Sequence, residues 1–295
     1  MTRHAPEISR PDKVLYPDPG YTKKDLADYY EWAAGLILPH LAGRPLVMRR
    51  FPDGIDGSGF YQKQAPDDGP DFLDTLTVAA DNERGEVRHL LVDDVDTLRY
   101  LANQACLELH RWLSRSTRLD NPDLLVIDLD PPSSPDLGAL RRTARAARTL
   151  FEDIGLAPFL MATGGSGYHV VAPLDGSAGF DDVRALAREI AARLRGAAPE
   201  ELTTEQRKTN RGDRIFLDTN RNAYAQTAIT PYSPRARPGA PVATPIEFAE
   251  LGKIEPNGYD LRGIRNRMAH KRDPWRHIHD HARPAGAARK RLDRS

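Results

Sequence analysis

The chain has a single cysteine, Cys106, among 295 residues. That excludes an intramolecular disulfide and any zinc site built from paired cysteines. It also lacks a charge bias, since 42 Lys and Arg balance 42 Asp and Glu. A polyanionic partner would therefore have to be held by local patches and not by the field of the whole molecule. No apolar run reaches the roughly 20 residues needed to cross a bilayer, and the mean hydropathy is −0.57. The first ten residues, Met1 to Arg10, are polar and carry no signal-peptide core. The expected setting is cytoplasmic and without a membrane partner. Internal repeats are absent. The length exceeds what one compact core usually needs, so one large domain or two intimate lobes are expected.

Against that background, LLVIDLDPP (Leu124 to Pro132) stands out. Four apolar residues in a row read as a buried strand, and two prolines stop it. Strand side chains alternate between faces, so Asp128 and Asp130 point the same way. Two carboxylates so placed repel each other, and a divalent cation would relieve the repulsion and make a hard oxygen-ligand site. The plain alternative is two solvated acids at a strand end.

The flanking sequence is regular. A helix is expected over about 137–154, closed by Gly155. A strand at 158–162, a turn (Thr163 to Gly167) and a strand from Tyr168 to Pro173 follow. Asp181 reads as the cap of a further helix that Gly196 stops. The last strand is Arg214 to Asp218. This β-α-β-β-α-β order predicts an α+β fold with a ferredoxin-like, RNA-recognition-type core. The first strand is then central, with Asp218 on one neighbour and His169 on the other. Antiparallel pairing leaves open how the acidic ends meet.

The remaining stretches place an N-terminal α/β lobe at about 1–120, the core at about 121–250, and a C-terminal helix with a loose basic tail at 251–295, all in one functional domain with the lobe packed on the core. PDKVLYPDPGY (11–21) reads as a loop with a short strand, flanked by Lys13 and Lys23. Thr22 and Asp25 form a capping-box pattern before a helix. RPLVMRRFPDGIDGSGFYQK (44–63) reads as a hairpin that sets Arg49, Arg50 and Lys63 beside Phe51, Phe60 and Tyr61. Cations beside aromatics are how single-stranded or templating nucleic acid is often held, although an ordinary core with a basic face reads the same way. Residues 76–94 read as short strands. Asp93 to Ser116 reads as one amphipathic helix, with Cys106 as a small core residue and His110 just off its apolar stripe. The proline-rich stretch 229–245 reads as an extended surface segment, in which Arg235 and Arg237 would face one side. His277, His279 and His281 have no supporting carboxylate or cysteine frame and are not read as a metal site.

Three aspartates on adjacent strands are the arrangement that holds two divalent ions in polymerases and nucleases. His169, Arg211, Arg235 and Arg237 would supply cations for a phosphate tail. The Thr163–Gly167 turn, with the Thr163 and Ser166 hydroxyls, would supply hydrogen bonds.

Together these stretches resemble the polymerase domain of bacterial ligase D and its stand-alone relatives in the archaeo-eukaryotic primase superfamily. PDKVLYP, TKKDLADYY, RPLVMRRFPDG, FYQKQAP, LANQACLELH, LLVIDLDPP, GYHVVAPL, RIFLD and TAITPYSPRARPGAPVATPIEF carry the resemblance, in family order. It implies a DNA-repair primase-polymerase that adds nucleotides, ribonucleotides preferred, to 3′ ends at gaps or breaks. It implies two ions, Mn2+ or Mg2+, on Asp128, Asp130 and Asp218, with NTP or dNTP as substrate. It puts the triphosphate near Thr163, Ser166, His169, Arg211, Arg235 and Arg237. Phe60 and Tyr61 would pack on a base beside Arg49 and Lys63, and Lys13 and Lys23 would grip a DNA 5′-phosphate. The implied partners are a separate DNA ligase and Ku or excision-repair factors, with the protein itself a monomer. The chain departs from the family at Ser166, where Lys or Arg is usual, and at Thr219-Asn220-Arg221-Asn222, where many relatives read Trp-Ser-Gln-Asn. Those departures, and the lack of appended ligase or nuclease sequence, lead to the expectation of a stand-alone gap-filling relative. A non-catalytic DNA-end binder and a phosphohydrolase with Asp128 as nucleophile are the competing readings. The three aspartates weigh against the first, and Pro132 weighs against the second.

Overall fold

In the computed structural model, which describes residues 7–79, 85–134 and 136–294, two units form, each around its own sheet and core. The polar start from Met1 to Pro6 and residues 80–84 of the 76–94 stretch lie outside the described residues. In chain order, β1 (Val14–Tyr16) and β2 (Tyr21–Thr22) precede α1 (Lys23–Leu41). Next come β3 (Leu46–Arg50), β4 (Phe60–Gln62), β5 (Thr75–Ala79), β6 (Glu86–Leu90), α2 (Val95–Asn103) and β7 (Cys106–Trp112). They are followed by β8 (Leu124–Asp130), α3 (Leu137–Asp153), β9 (Phe159–Ala162), β10 (Tyr168–Pro173), α4 (Phe180–Ala197), β11 (Leu202–Thr203) and β12 (Ile215–Asp218). Last are β13 (Thr227–Ile229), β14 (Thr244–Ile246), α5 (Leu261–His270) and α6 (Ala285–Leu292). The units are not contiguous in sequence. Residues 227–243 and 259–270 belong with the chain up to Trp112, and residues 244–258 and 271–295 belong with 113–226. The expected divisions near 120 and 250 do not reproduce that interleaving.

The first unit has the sheet order β13-β7-β3-β6-β5, with β4 also paired to β3. Its helix α1 begins as the sequence predicts. Thr22 Oγ1 accepts from Asp25 N–H at 3.2 Å, and Asp25 Oδ2 accepts from Thr22 N–H at 2.8 Å, a reciprocal cap that contributes about 1 kcal/mol. The helix expected over 93–116 is corrected by the structure. It ends at Asn103, Ala105 turns the chain at φ +50°, and Cys106 to Trp112 form a strand. Every residue of β7 is buried, and its alternation is confined to Leu107-Glu108-Leu109-His110, too short to outweigh the helical stripe. The helical stripe through Leu98, Leu101, Ala105, Leu109 and Trp112 is a coincidence of spacing. On β7, Leu107 and Leu109 enter the core of the first unit, while Glu108 and His110 point to the other face.

The second unit has the sheet order β11-β12-β8-β10-β9-β14. Its inner four strands follow the expected ferredoxin-like order, with β8 between β12 and β10. Leu125, Ile127 and Leu129 pack with α3 and α4 side chains, so the aspartates of β8 lie on the sheet face opposite that helix-covered core. Gly155, at φ +78°, closes α3 as expected. Asp181 is not the cap of α4: Gly179 is, and Asp181 lies in the first turn, where its charge favours the helix N-terminus. Nor does Gly196 stop the helix, which runs to Ala197. The terminal helix expected in the basic tail is present as α6, but it is not loose: its Ala285, Ala288 and Leu292 are buried in the core of the second unit. Among the described residues, no helix is long and apolar enough to cross a membrane.

Candidate active site

The register of the second sheet answers the question the sequence left open. Asp218 lies directly opposite Asp128, and Phe216 opposite Asp130. Opposed residues of an antiparallel pair share a face, with Cβ atoms about 4.5–5.5 Å apart. Asp130 is two residues from Asp128 and so shares that face too. On the other flank, His169 lies opposite Asp128. One sheet face therefore carries three carboxylates and an imidazole as near neighbours.

Each carboxylate is turned to a partner. Asp128 Oδ2 is 3.4 Å from His169 Nε2 and 3.5 Å from Arg221 Nε. Asp130 Oδ2 accepts from Arg211 Nη1 at 3.2 Å, and Asp218 Oδ1 accepts from Asn220 N–H at 2.8 Å. In that arrangement, among the described residues, no three His, Cys, Asp or Glu side chains close into a metal cage. The donor set nevertheless fits hard divalent ions, because it is built of carboxylate oxygens on adjacent strands. Burial, and then the charge of Asp128, pushes the Asp130 carboxyl above its usual range. The part that comes from Asp128 is like-charge repulsion, which a cation would relieve.

Two residues that the sequence did not single out build this face. Asn222 is fully buried. Its Oδ1 accepts from Val126 N–H at 2.8 Å, and its Nδ2 donates to Val126 O at 2.7 Å and Thr219 O at 3.0 Å. The side-chain amide thus continues the β8 ladder past the point where β12 ends. Gly167 is the other: a Cβ there would stand 2.0 Å from Leu129 O, so only glycine lets the turn approach β8 beside Asp130. Arg221, visible in the sequence only as a departure from the family, gains its meaning from its contact with Asp128.

The expected phosphate ligands of this unit are placed unevenly. Arg211 is locked in by Glu205 O, Gln206 O and Asp130, and lies 3.7 Å over the Phe216 ring. His169 is buried at the carboxylates. The Thr163 hydroxyl, expected to bind phosphate, is tied into its own turn: it donates to Gly167 O at 2.9 Å and accepts from Gly165 N–H at 3.2 Å. Ser166 is exposed at the tip of that turn.

The first unit gathers a separate cluster. Glu108 is wholly buried and accepts from Arg49 Nη1 at 3.1 Å, Arg235 Nε at 3.2 Å and Ala236 N–H at 2.9 Å, all at Oε1. His110 Nε2 meets Oε2 at 2.8 Å. Burial pushes the Glu108 carboxyl up, but the His110 hydrogen bond, the Arg235 charge and the Ala236 N–H outweigh it and hold the group well below the carboxylate range. Phe60 and Tyr61 are exposed, but they stand on opposite faces of β4. Arg49 lies 5.3 Å over Tyr61, and Arg50 lies 5.5 Å over Phe60. The pair therefore presents two cation–aromatic surfaces. Lys63 is exposed just beyond β4. Arg235 and Arg237 do not form the expected same-side clamp. The backbone turns between them, with Arg237 N–H donating to Arg235 O at 2.9 Å, so Arg235 is tied to Glu108 while Arg237 is exposed.

Lys13 and Lys23 are brought together by pairing at the base of α1, where Lys23 N–H donates to Lys13 O at 2.8 Å. Lys13 Nζ is 2.8 Å from Asp53 Oδ1. Lys23 is buried against Ser9 Oγ and Asn103 Oδ1. Burial, then the charges of Arg10, Lys13 and Arg50, lower its pKa. A crowded cationic corner of this kind suits an anionic ligand.

Comparison with known proteins agrees with this arrangement. The family model for the LigD primase-polymerase domain matches residues 22–275. The multifunctional non-homologous end joining DNA repair protein LigD of Mycobacterium tuberculosis is 37% identical over 252 residues, covering 83% of this chain and 33% of that protein. LigD of Pseudomonas aeruginosa is 31% identical over 271 residues, covering 91% of this chain and 32% of that protein. The chain thus spans about a third of the length of the curated relatives it matches. A solved polymerase domain from Mycobacterium tuberculosis ligase D, in complex with DNA, superposes with a TM-score of 0.88 at 33% identity, covering 94% of this chain and 99% of that one. A family match over most of the chain and a shared fold at that identity lead to one conclusion: the chain belongs to the LigD primase-polymerase domain family, and is a nucleotidyltransferase of the DNA polymerase class.

Proposed function

We propose that this protein extends 3′ ends at short gaps or breaks in DNA, by nucleotidyl transfer on the face carrying Asp128, Asp130 and Asp218. The observation that carries the reading is the register that sets Asp218 opposite Asp128, with Asp130 two residues on. Those three side chains would hold two divalent ions, Mn2+ or Mg2+. Such ions activate the attacking hydroxyl and offset charge on the triphosphate and leaving group. The chain's own residues orient and balance that charge. Arg211, stacked on Phe216 and braced by Glu205 and Gln206 carbonyls, holds a fixed guanidinium beside Asp130. His169 holds an imidazole against Asp128.

In the first unit, Arg49, Tyr61, Phe60, Lys63, Arg235 and Arg237 are assigned to nucleotide or template contacts, because cations set over exposed aromatic faces suit stacked bases and phosphates. Lys13 and Lys23 are assigned to a DNA 5′-phosphate, bound without regard to sequence. A preference for ribonucleotides, and a setting of end joining or excision repair with a separate ligase and Ku or excision factors, belong to the same reading and rest on the family likeness.

The test is extension of a gapped duplex, with and without a 5′-phosphate, in Mn2+ and ribonucleotides. Asp218→Asn should abolish extension and keep DNA affinity. Lys13→Ala should remove the advantage of the 5′-phosphorylated gap and spare extension of a simple primer. Extension by Asp218→Asn at the wild-type rate would refute the carboxylate assignment.

A further inference from the structure

We infer that Glu108 is a positioning residue that presents Arg49, Arg235 and Tyr61 as a preformed receptor for the incoming nucleotide. The inference rests on the nucleotide-binding role proposed for those side chains. Its basis is the contrast in exposure across one cluster. The Glu108 side chain is 0% exposed, while those of Arg49 and Arg235 are 31% and 15% exposed. A ligand arriving there meets two guanidinium edges and no carboxylate.

The geometry gives the acid a task that simple core filling does not need. Arg49 Nη1 and Arg235 Nε converge on the same oxygen, Oε1, at 3.1 and 3.2 Å. Two like charges that close repel each other unless an anion lies between them. The same oxygen takes the Ala236 N–H, and Leu109 N–H donates to Ser233 Oγ at 2.9 Å, so the segment carrying Arg235 is fastened along β7. Arg49 in turn lies over both Phe51 and Tyr61, at 5.0 and 5.3 Å. Tyr61 meets His110 edge-on at 5.5 Å, and His110 is bound to Oε2. Both oxygens of one buried carboxylate thus reach the exposed tyrosine, one through Arg49 and the other through His110. With Glu108 ionised, Nε2 of His110 carries the proton that faces it. Removing the acid would take one shared acceptor group from four donors, Arg49 Nη1, Arg235 Nε, Ala236 N–H and His110 Nε2.

Charge alone and geometry predict opposite results for Glu108→Gln. The glutamine keeps the shape and removes one negative charge near a polyanionic ligand. If only net charge mattered, nucleotide affinity would rise. If positioning matters, it falls. The experiment measures binding of ATP with Mg2+ to the full chain, KM and kcat for single-nucleotide extension, and the melting temperature, for Glu108→Gln, Glu108→Asp, Arg49→Ala and Glu108→Gln/Arg49→Ala. Positioning predicts about tenfold weaker ATP binding for Glu108→Gln, seen mainly in KM, with a smaller further loss when it is added to Arg49→Ala, because one of the acid's arms is then already gone while Arg235 and His110 still depend on it. Glu108→Asp draws the carboxylate back by one methylene and keeps its charge. It should lose part of the affinity, and if Glu108→Gln does not fold, this variant decides. Unchanged or tighter ATP binding in a folded Glu108 variant, together with weakened binding in Arg49→Ala, overturns the inference and leaves the nucleotide-binding reading standing. Unchanged binding in Arg49→Ala overturns that reading, and the inference with it.

Discussion

Replacing Gly167 by alanine adds one methyl group at the point where the turn before β10 meets β8. That Cβ would lie 2.0 Å from Leu129 O, 3.1 Å from Leu129 C and 3.3 Å from Pro131 Cδ. Ordinary contact begins at 3.4 Å, so the two backbones must part by about 1.4 Å, and both atoms of Leu129 belong to a central strand that cannot rotate aside. Overpacking of this kind costs about 1–3 kcal/mol. The Thr163 N–H and Oγ1 bonds to Gly167 O, at 3.1 and 2.9 Å, would stretch with it. In a large domain the loss corresponds to a fall in melting temperature of about 2–4 °C per kcal/mol. The displacement falls between Asp130 and His169, so its larger effect is on chemistry: a misplacement near 1 Å can cost about a hundredfold in rate. Calorimetry and single-nucleotide extension measure the two effects side by side. Gly196→Ala is the control, because nothing lies within 4 Å of its added Cβ and the position is helical, so it should gain about 0.5–1 kcal/mol. A Gly167→Ala protein that melts and extends primers like wild type would refute the claim that this close approach sets the site.

Asn222→Ala would strip the partner from both Val126 backbone groups and from Thr219 O; urea unfolding should show a loss of at least about 3 kcal/mol, at about 1–3 kcal/mol per buried orphaned group, and extension should fall further than stability alone explains. Glu108 is held below the pKa of an unfolded glutamate, near 4.3, so the stability it contributes is complete above that pH and is lost as the pH falls toward its folded value. The gap in unfolding free energy between wild type and Glu108→Gln should therefore be widest near neutrality and narrow from about pH 5 downward; a gap that is flat with pH would refute the depressed pKa. Arg221 stands 3.5 Å from Asp128 Oδ2 and opposes a divalent ion there by charge, so Arg221→Gln should bind Mn2+ several-fold more tightly in the absence of nucleotide, read as loss of the free-ion signal by electron paramagnetic resonance.

The second sheet was legible because its strands alternate with helices, and each is punctuated by a glycine, a proline or a polar loop. Leu124 to Ile127 could only be a central strand, and the order of elements then forced Asp218 and His169 onto its two neighbours. What the order could not supply was the register, which depends on where β12 stops. β7 was misread for a related reason. Buried on both faces, CLELHRW has a period of two only over Leu107 to His110, and chance spacing joined it to the stripe of α2. With β7 taken for a helix, Glu108 could not be seen as the acid that gathers Arg49, His110 and Arg235, because three of those four residues meet only through strand pairing. The opposite placement of Phe60 and Tyr61 needed no structure, since adjacent strand residues always diverge; treating them as one surface set that rule aside. The terminal helix of the tail was legible but its docking was not: Ala285, Ala288 and Leu292 are too few and too small to mark a core-facing stripe by sequence alone.

The turn Thr219-Asn220-Arg221-Asn222 shows how a local departure can preserve a global geometry. β12 has to end at Asp218, because a strand running further would keep its backbone hydrogen-bonded to β8 and offer no free turn for Asp218 to cap. Ending it there would leave the Val126 N–H and C=O unpaired in a buried sheet, a loss of several kcal/mol. The Asn222 amide supplies one acceptor and one donor at the spacing of a peptide group, so the ladder is completed by a side chain while the main chain turns away. Asp218 Oδ1 caps the turn through Asn220 N–H, which fixes the direction of that carboxylate as well as its position. The only positions in this turn that neither bond serves through a side chain are Thr219, Asn220 and Arg221, and those are the positions free to differ among sequences that keep the same strand ending. Arg221 brings a cation to Asp128 from a position that takes part in neither bond, so the charge it adds to the site is separable from the strand ending that places Asp218.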